Sequence, residues 1–279
     1  MDNRPIGVFD SGLGGLTVVR QLMQELPGED IVYFGDTGRV PYGNRSRKIL
    51  EKYARQDCRF LMGMDVKMLI AACGTVSSTA PHVLSEFGLP AIGVVEPAAD
   101  AAAAATRNKR VGVIGTAATI HSGAFLRRIR CNDPSITVLT GACPLFVPLV
   151  ENGWIDREDP ITRLTVERYL HPLREANVDT LILGCTHFPL LAPLIADYLG
   201  EGVTLIDAGQ QAAMACARRL RADNALNLTK KAGSCRFYVS DQPDDFSHVA
   251  AMFLGREVAD EVELVDIDRI DDMREPMFE

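Results

Sequence analysis

Short runs of apolar residues alternate along the chain with longer segments whose apolar residues recur every three or four positions. Eight runs are rich in β-branched and aliphatic side chains: IGVFD, IVYFGD, MLIAAC, AIGVVE, VGVIGT, ITVLTG, TLILGC and VTLIDA. The segment LTVVRQLMQEL, which Pro27 and Gly28 end, predicts a helix with one apolar face formed by Leu16, Val19, Leu22, Met23 and Leu26. This alternation predicts an α/β fold with mostly parallel, buried sheets.

The first four strands and the last four resemble each other. An overlay aligns four residue pairs, two with an offset of 105 positions and two with an offset of 112: Ile6 with Val111, Ile31 with Ile136, Cys73 with Cys185, and Ala91 with Val203. We therefore predict two similar lobes related by internal duplication, each a mostly parallel sheet flanked by helices. Residues 1–97 with 208–279 form the first lobe, and 98–207 the second. One continuous doubly wound sheet is the alternative.

Two cysteines occupy equivalent places in this repeat. LIAACGTVSS and LILGCTHFP are each a buried strand that ends in a cysteine, Cys73 in the first and Cys185 in the second. Ligands of open α/β sheets bind at the carboxyl ends of the strands. Two facing lobes would place these thiols on opposite walls of one cleft, where we expect the active site.

Charge and composition exclude some classes of function. The chain has 29 basic and 37 acidic residues, a formal net charge of −8, which argues against a nucleic-acid partner. No apolar run reaches the roughly 18 residues of a spanning helix, and the N-terminal residues lack a signal-peptide pattern. We expect no membrane partner and a cytoplasmic location.

The seven cysteines form no C-x-x-C motif, which favours reduced thiols over a disulfide framework. Cysteine is among the residue types most often buried. We therefore expect simple packing for the cysteines without polar neighbours in sequence: Cys58, Cys131, Cys216 and Cys235. For Cys73 and Cys185, three further roles compete with simple packing. A metal site with His187 lacks closely spaced ligand pairs, and a redox disulfide would need the two sulfurs in bonding contact. We expect no metal and no cofactor.

The third role is a pair of acid/base catalysts on either side of one carbon. Removing a proton from one face of a stereocentre and adding one to the other face inverts it, and reversibility requires two similar groups. A thiol titrates near 8.5 and responds to an adjacent imidazolium or helix N-terminus. His187 lies two residues from Cys185. The strand IGVFD brings Asp10 and Ser11 to the carboxyl edge of the sheet, where Cys73 also lies. The loop SGLGGLT offers free N–H groups but is not a dinucleotide fingerprint.

Four motifs together resemble the bacterial glutamate racemase family, a branch of the cofactor-independent amino-acid racemases: FDSGLGGLTV (9–18), YFGDTGRVPYGNRS (33–46), IAACGTVSS (70–78) and ILGCTHFPLL (182–191). The resemblance extends to about residue 256. It implies interconversion of L- and D-glutamate without pyridoxal phosphate or metal, which supplies D-glutamate for peptidoglycan.

The resemblance also implies roles for individual residues. Cys73 would act on the D-enantiomer and Cys185 on the L-enantiomer, with Asp10 assisting Cys73. His187 would assist Cys185, and Glu151 would be a further carboxylate near that thiol. The implied substrate contacts are Asp10, Ser11, Pro41, Tyr42, Gly43, Thr75, Thr116, Thr119, Thr186 and His187.

One position departs from the family pattern. The family usually has asparagine directly after the first cysteine, whereas this chain has Gly74, which removes an amide contact to the substrate. Specificity for aspartate, a hydantoin or maleate is therefore a second hypothesis. A third is inhibition of DNA gyrase through an acidic surface that includes VADEVELVDIDRIDD. A homodimer is also compatible with the family.

Overall fold

The computed structural model describes residues 1–228, 232–241, 246–256 and 262–272. The strands, numbered in chain order, are β1 Ile6–Asp10, β2 Ile31–Gly35, β3 Met68–Ala71, β4 Ala91–Gly93, β5 Arg110–Gly115, β6 Thr137–Ala142, β7 Thr180–Leu183, β8 Thr204–Asp207, β9 Cys235–Val239 and β10 Val262–Leu264. The first eight strands coincide with the eight predicted runs to within a few residues.

The helices connect these strands. The α-helices are α1 Leu16–Glu25, α2 Arg47–Gly63, α3 Gly74–Thr79, α4 Pro81–Leu84, α5 Val95–Ala105, α6 Ala117–Ser122, α7 Ala124–Asn132, α8 Phe146–Glu151, α9 Pro160–Glu175, α10 Ala192–Leu199, α11 Ala208–Ala222 and α12 Phe246–Leu254. Short 3₁₀ turns span Thr37–Arg39, Tyr42–Asn44, Ser85–Phe87, Phe188–Leu191 and Ile267–Asp272. Within the described residues, no helix combines the length and the apolar character needed to cross a membrane.

The strands form two separate parallel sheets. The first has the order β10-β9-β2-β1-β3-β4 and the second the order β6-β5-β7-β8. The order β2-β1-β3-β4 is thus repeated as β6-β5-β7-β8, so the predicted α/β fold with two duplicated sheets is confirmed and a single continuous sheet is excluded.

The pairing register corrects part of the sequence overlay. Ile6 pairs with Ile31, but its equivalent Val111 pairs with Val138, two residues beyond the position that the overlay assigned. The equivalent of Ala91 is likewise Leu205. A slip of two residues keeps every side chain on the same face of a strand, so the hydrophobic pattern alone could not detect it.

The buried strands explain the unbroken apolar runs in the sequence. All five residues of β1 are buried: Ile6 and Val8 belong to one hydrophobic cluster, and Phe9 belongs to another on the opposite face of the sheet. Both faces of the strand are therefore covered, as parallel sheets require. In α1, Leu16, Val19 and Leu22 are buried as predicted.

Residues after β8 return to the first sheet. Helix α11 packs against α1, and β9 pairs with β2 in parallel. The predicted boundary at 207/208 falls between β8 and α11, whereas the boundary at 97/98 falls inside α5. The division into 1–97 with 208–279 and 98–207 stays a prediction, and its residues 229–231, 242–245, 257–261 and 273–279 lie outside the described ranges.

Candidate active site

Each sheet has two neighbouring strands whose carboxyl ends lead into residues with reactive or polar side chains. In the first sheet, β1 ends in Asp10 and the residues after β3 lead to Cys73; in the second, Thr116 follows β5 and Cys185 follows β7. The hydroxyls of Thr75 and Thr116 lie 3.0 Å apart and connect the two sheets' carboxyl edges. The carboxyl edges of the two sheets therefore contact each other at these threonines.

Cys73 is a buried thiol beside a carboxylate. Its side chain precedes α3, is 5% exposed, and donates to the Ser11 hydroxyl over 3.6 Å. Burial, followed by the negative charge of Asp10, raises the pKa of the Cys73 thiol to about 12. In the free protein Cys73 is therefore a proton donor rather than a thiolate.

Cys185 lies beside an imidazole instead. His187 Nδ1 is 3.8 Å from Cys185 Sγ, and His187 Nε2 is 3.0 Å from Glu151 Oε1. Burial opposes the charge of His187, but the hydrogen bonds to Cys185 and Glu151 outweigh it and raise its pKa to about 10. The raised pKa favours a protonated imidazole at neutral pH, which lies between Cys185 and Glu151. The Phe253 ring packs edge-on against the imidazole, with centroids 5.2 Å apart.

Asp10 has one carboxylate oxygen without a hydrogen bond. Its side chain is buried, and Oδ2 accepts the backbone N–H of Gly15 at 2.8 Å. Oδ1 has no hydrogen-bond partner among the described residues. Burial raises the pKa of Asp10, against the opposing effects of the His187 charge and the N–H groups of Gly15, Ser11 and Gly12. Such a buried oxygen is suited to a cationic ligand group.

The threonines form a row of hydroxyls between the two edges. Thr116 caps helix α6, its hydroxyl lies 3.0 Å from that of Thr119, and Thr119 is almost fully buried. Thr186 lies between the cysteine and the histidine, with its hydroxyl 3.4 Å from His187 Nδ1. These hydroxyls are neutral donors of the kind that bind carboxylates.

The segment Pro41–Tyr42–Gly43 reaches the second lobe through its backbone. A Cβ on Gly43 would lie 3.2 Å from Thr116 Cβ, whereas the Tyr42 side chain is buried and its hydroxyl donates to Asp36 and to Asp57. The Tyr42 ring is thus part of the first lobe's core, whereas Pro41 is exposed and Gly43 lies against Thr116.

A buried charged cluster beneath this segment escaped the sequence analysis. Arg39 donates to Asp36 Oδ2 at 2.6 Å and to Asp57 Oδ1 at 3.2 Å. Burial and then the charge of Asp36 raise the pKa of Asp57 well above its usual range. Asp36 follows β2 directly, and Asp10 is the last residue of β1, so the place of Asp36 at a strand end was a signal that could have identified it.

The remaining cysteines form no disulfide bond. Cys143 is buried and directly follows β6, at the same carboxyl edge of the second sheet as Cys185. Cys58, Cys216 and Cys235 are buried as expected, but Cys131 is exposed because it lies on the outer face near the end of α7. Within the described residues, no group of three or more His, Cys, Asp or Glu side chains is arranged to hold a metal ion.

Comparison with known proteins agrees with this geometry. The sequence profile of the Asp/Glu/Hydantoin racemase family matches residues 38–216. The chain belongs to this family. It is 46% identical to a glutamate racemase of Geobacter metallireducens over 92% of this chain and 95% of that protein. The family resemblance predicted from the four motifs is thereby confirmed, and the chain is an amino-acid racemase, an isomerase.

Solved structures of the family share the fold. A glutamate racemase of Francisella tularensis in complex with D-glutamate matches with a TM-score of 0.89 and 41% identity, covering 96% of this chain and 99% of that one. A glutamate racemase of Bacillus anthracis matches with a TM-score of 0.90 and 35% identity, covering 95% of this chain and 98% of that one. The family's two-sheet architecture therefore extends over nearly the whole chain.

Proposed function

We propose that the protein interconverts L- and D-glutamate by a two-base mechanism in which Cys73 and Cys185 act on opposite faces of the α-carbon. The observation that carries this proposal is the pairing of two buried thiols at equivalent strand ends of duplicated sheets. The relatives named as glutamate racemases, and the D-glutamate bound to one of them, support glutamate as the substrate.

In the direction from L- to D-glutamate, the Cys185 thiolate removes the α-proton and becomes a thiol. The Cys73 thiol then gives its proton to the opposite face and becomes a thiolate. Because the pKa of His187 is about 10, its imidazolium stabilises the initial thiolate. The high pKa of Cys73, about 12, keeps the second thiol protonated until the carbanion forms. The reverse reaction uses the same two groups in exchanged roles.

The substrate's own charges fit the surrounding groups. Its ammonium group would neutralise Asp10, whose Oδ1 has no hydrogen-bond partner in the part of the chain that the structure describes. Its carboxylates would accept from Ser11, Thr75, Thr116, Thr119, Thr186 and the backbone N–H groups near Gly43. Preorganised donors in a buried site stabilise the charge that develops when the α-carbon loses its proton. Gly74 supplies no side-chain amide, so a backbone N–H would replace that contact.

A chiral assay tests the proposal. Purified protein is incubated with each enantiomer of glutamate and aspartate, without added cofactor, and the products are separated by chiral chromatography. We expect both glutamate enantiomers to reach a one-to-one mixture, with aspartate converted far more slowly. Faster conversion of aspartate would instead support the second specificity.

The cellular role is part of the same proposal. The protein would act in the cytoplasm and supply D-glutamate for peptidoglycan. The homodimer and the docking to gyrase stay predictions; residues 258–261 of the acidic segment invoked for gyrase lie outside the described ranges.

A further inference from the structure

An aromatic side chain from the C-terminal part of the chain packs against the imidazole of His187. Phe253 lies in α12, which comes after β9 of the first sheet, whereas His187 comes shortly after β7 of the second. The two ring centroids are 5.2 Å apart, and the ring planes are nearly perpendicular, at 85°. Phe253 is fully buried, and His187 is 7% exposed. A residue that follows the first sheet thus encloses an imidazole that follows the second.

The polar contacts of His187 do not by themselves fix the plane of its ring. Nδ1 faces Cys185 Sγ at 3.8 Å and the Thr186 hydroxyl at 3.4 Å, while Nε2 faces Glu151 at 3.0 Å. The Glu151 side chain is 49% exposed, so its contact with the imidazole competes with water. Rotation about the bond between the imidazole and Cβ has broad minima. A further constraint is therefore needed to keep Nδ1 turned toward the sulfur.

The perpendicular phenyl ring supplies this constraint without competing for the ring nitrogens. Phenylalanine has no hydrogen-bonding group in its side chain, so it cannot draw an N–H of His187 away from Cys185 or Glu151. Turning the imidazole out of its plane would drive it into the phenyl ring, because edge-to-face packing leaves little free space between the rings. The same ring keeps water from that side of the imidazole, which strengthens the electrostatic interactions of a charged His187.

Helix α1 connects this contact to the segment that carries the histidine. Helix α12 packs against α1. The hydroxyl of Thr17, in α1, donates to the carbonyl of Thr186 at 3.0 Å, directly before His187 in sequence. One helix therefore holds both the helix of Phe253 and the backbone next to the imidazole.

We infer that Phe253 is a positioning residue for the reaction: it fixes the plane of the His187 imidazole so that Nδ1 faces Cys185, and it shields that imidazole from water. The inference deepens the proposed function and rests on it for the expected change in kinetics. Phe253 lies beyond residues 38–216, which the family profile matches, so the profile does not include this contact.

The test compares Phe253→Leu with Leu254→Ala. Both substitutions remove buried apolar contacts of α12, so both should lower Tm. Consecutive residues of a helix point about 100° apart, so Leu254 does not share the direction of Phe253 toward His187. Phe253→Met takes the place of Phe253→Leu if circular dichroism shows that the leucine variant is unfolded, since methionine adapts to irregular spaces.

Isotope effects show which of the two proton transfers is slowed. Initial rates are measured with L- and D-glutamate that carry either protium or deuterium at the α-carbon. In the proposed mechanism, the transition state at Cys185 keeps part of a thiolate charge that His187 stabilises, whereas Cys185 is a neutral thiol during the transfer at Cys73. A misplaced imidazole therefore slows the transfer at Cys185 more than the transfer at Cys73.

We expect kcat/KM of Phe253→Leu to fall about 10-fold in both directions. Its isotope effect should rise with deuterated L-glutamate, whose deuteron goes to Cys185, and should fall toward unity with deuterated D-glutamate, whose deuteron goes to Cys73. Leu254→Ala should keep both isotope effects of the wild type, because its loss of packing does not reach His187.

Exchange of the His187 ring N–H with water provides a readout that does not depend on activity. Protein labelled with ¹⁵N-histidine is observed by NMR at neutral pH, and the signals of His187 are identified by their absence from His187→Asn. We expect a ring N–H signal of His187 in the wild type and in Leu254→Ala, since enclosure slows exchange. In Phe253→Leu this signal should broaden and disappear.

Wild-type isotope effects in a folded Phe253 variant would overturn the inference, even if its overall rate falls. An unchanged ring N–H signal would overturn it as well. If the wild-type protein does not racemise glutamate, the proposed function fails, and the exchange of the ring N–H then decides whether Phe253 encloses and holds the imidazole.

Discussion

His187 Nδ1 lies 3.8 Å from Cys185 Sγ, within the distance at which an imidazolium stabilises a thiolate. The Cys73 thiol has a hydroxyl and a carboxylate nearby instead, Ser11 and Asp10. The duplicated fold thus supplies two similar acids in different electrostatic environments. This difference in environment is what the proposed exchange of protons across a stereocentre needs.

Replacing either thiol should remove activity. A serine hydroxyl is a far weaker acid than a thiol, so Cys73→Ser and Cys185→Ser should each lower kcat/KM by about 10³-fold or more. Cys131→Ser, at an exposed position, should match the wild type. Near-normal turnover in Cys73→Ser or Cys185→Ser would exclude the two-thiol mechanism.

Glu151 should set the upper pH limit of activity. The Glu151 contact helps to raise the pKa of His187 to about 10, so the imidazolium is present below that pH and is lost as the pH rises through it. Wild-type kcat/KM should therefore decline only near pH 10. In Glu151→Gln the decline should begin at lower pH, whereas Glu158→Gln, at an exposed position, should leave the profile unchanged. Identical profiles for all three proteins would refute this role.

Asp10→Asn should separate catalysis from folding. Asparagine has nearly the same shape and can still accept the Gly15 N–H, but it lacks the charge that we assign to the substrate's ammonium group. We expect kcat/KM to fall by about 100-fold with little change in Tm. Since the two enantiomers have equal free energies, kcat/KM must fall equally in both directions, which checks the measurement. A variant with wild-type kcat/KM would show that the charge of Asp10 is dispensable.

Asp179 should contribute to stability away from the active site. Burial opposes its charge, but hydrogen bonds from Thr106, Asn108 and Arg107 outweigh burial and hold its pKa below the usual value. Asp179→Ala should lower the free energy of unfolding in urea by about 2 kcal/mol, because it leaves buried donors unpaired. The ionised form is the stabilising one, so the deficit should shrink as the pH falls through the low pKa of the native state. Glu201→Gln, an exposed change, should cost almost nothing.

The sequence predicted the strand ends and the groups they carry, because apolar runs that end in polar residues follow directly from burial. Cys73, Cys185 and Asp10 were found in this way. The residues that contact the active-site segments depend instead on contacts between the lobes. The Thr17 hydroxyl donates to the carbonyl of Thr186, which is 169 residues away in sequence, and no local sequence pattern marks this contact. The strand register of the second sheet could not be predicted either, since a slip of two residues leaves the hydrophobic pattern intact.

The side chain of Tyr42 shows a further limit of motif reading. The motif that contains it resembled a substrate-binding segment, but the ring is buried in the first lobe and bonded to Asp36 and Asp57. Whether a residue in a motif offers its side chain or its backbone depends on the surrounding core.

Racemisation in D₂O tests the two-base claim most directly. Early in the reaction, the first product formed from either glutamate enantiomer is isolated by chiral chromatography, and its α-position is analysed by mass spectrometry. We predict one solvent deuterium at the α-carbon of the product, while the remaining substrate keeps its protium, because the thiol that donates differs from the thiolate that accepts. Product that retains the substrate's α-protium in either direction would contradict the account.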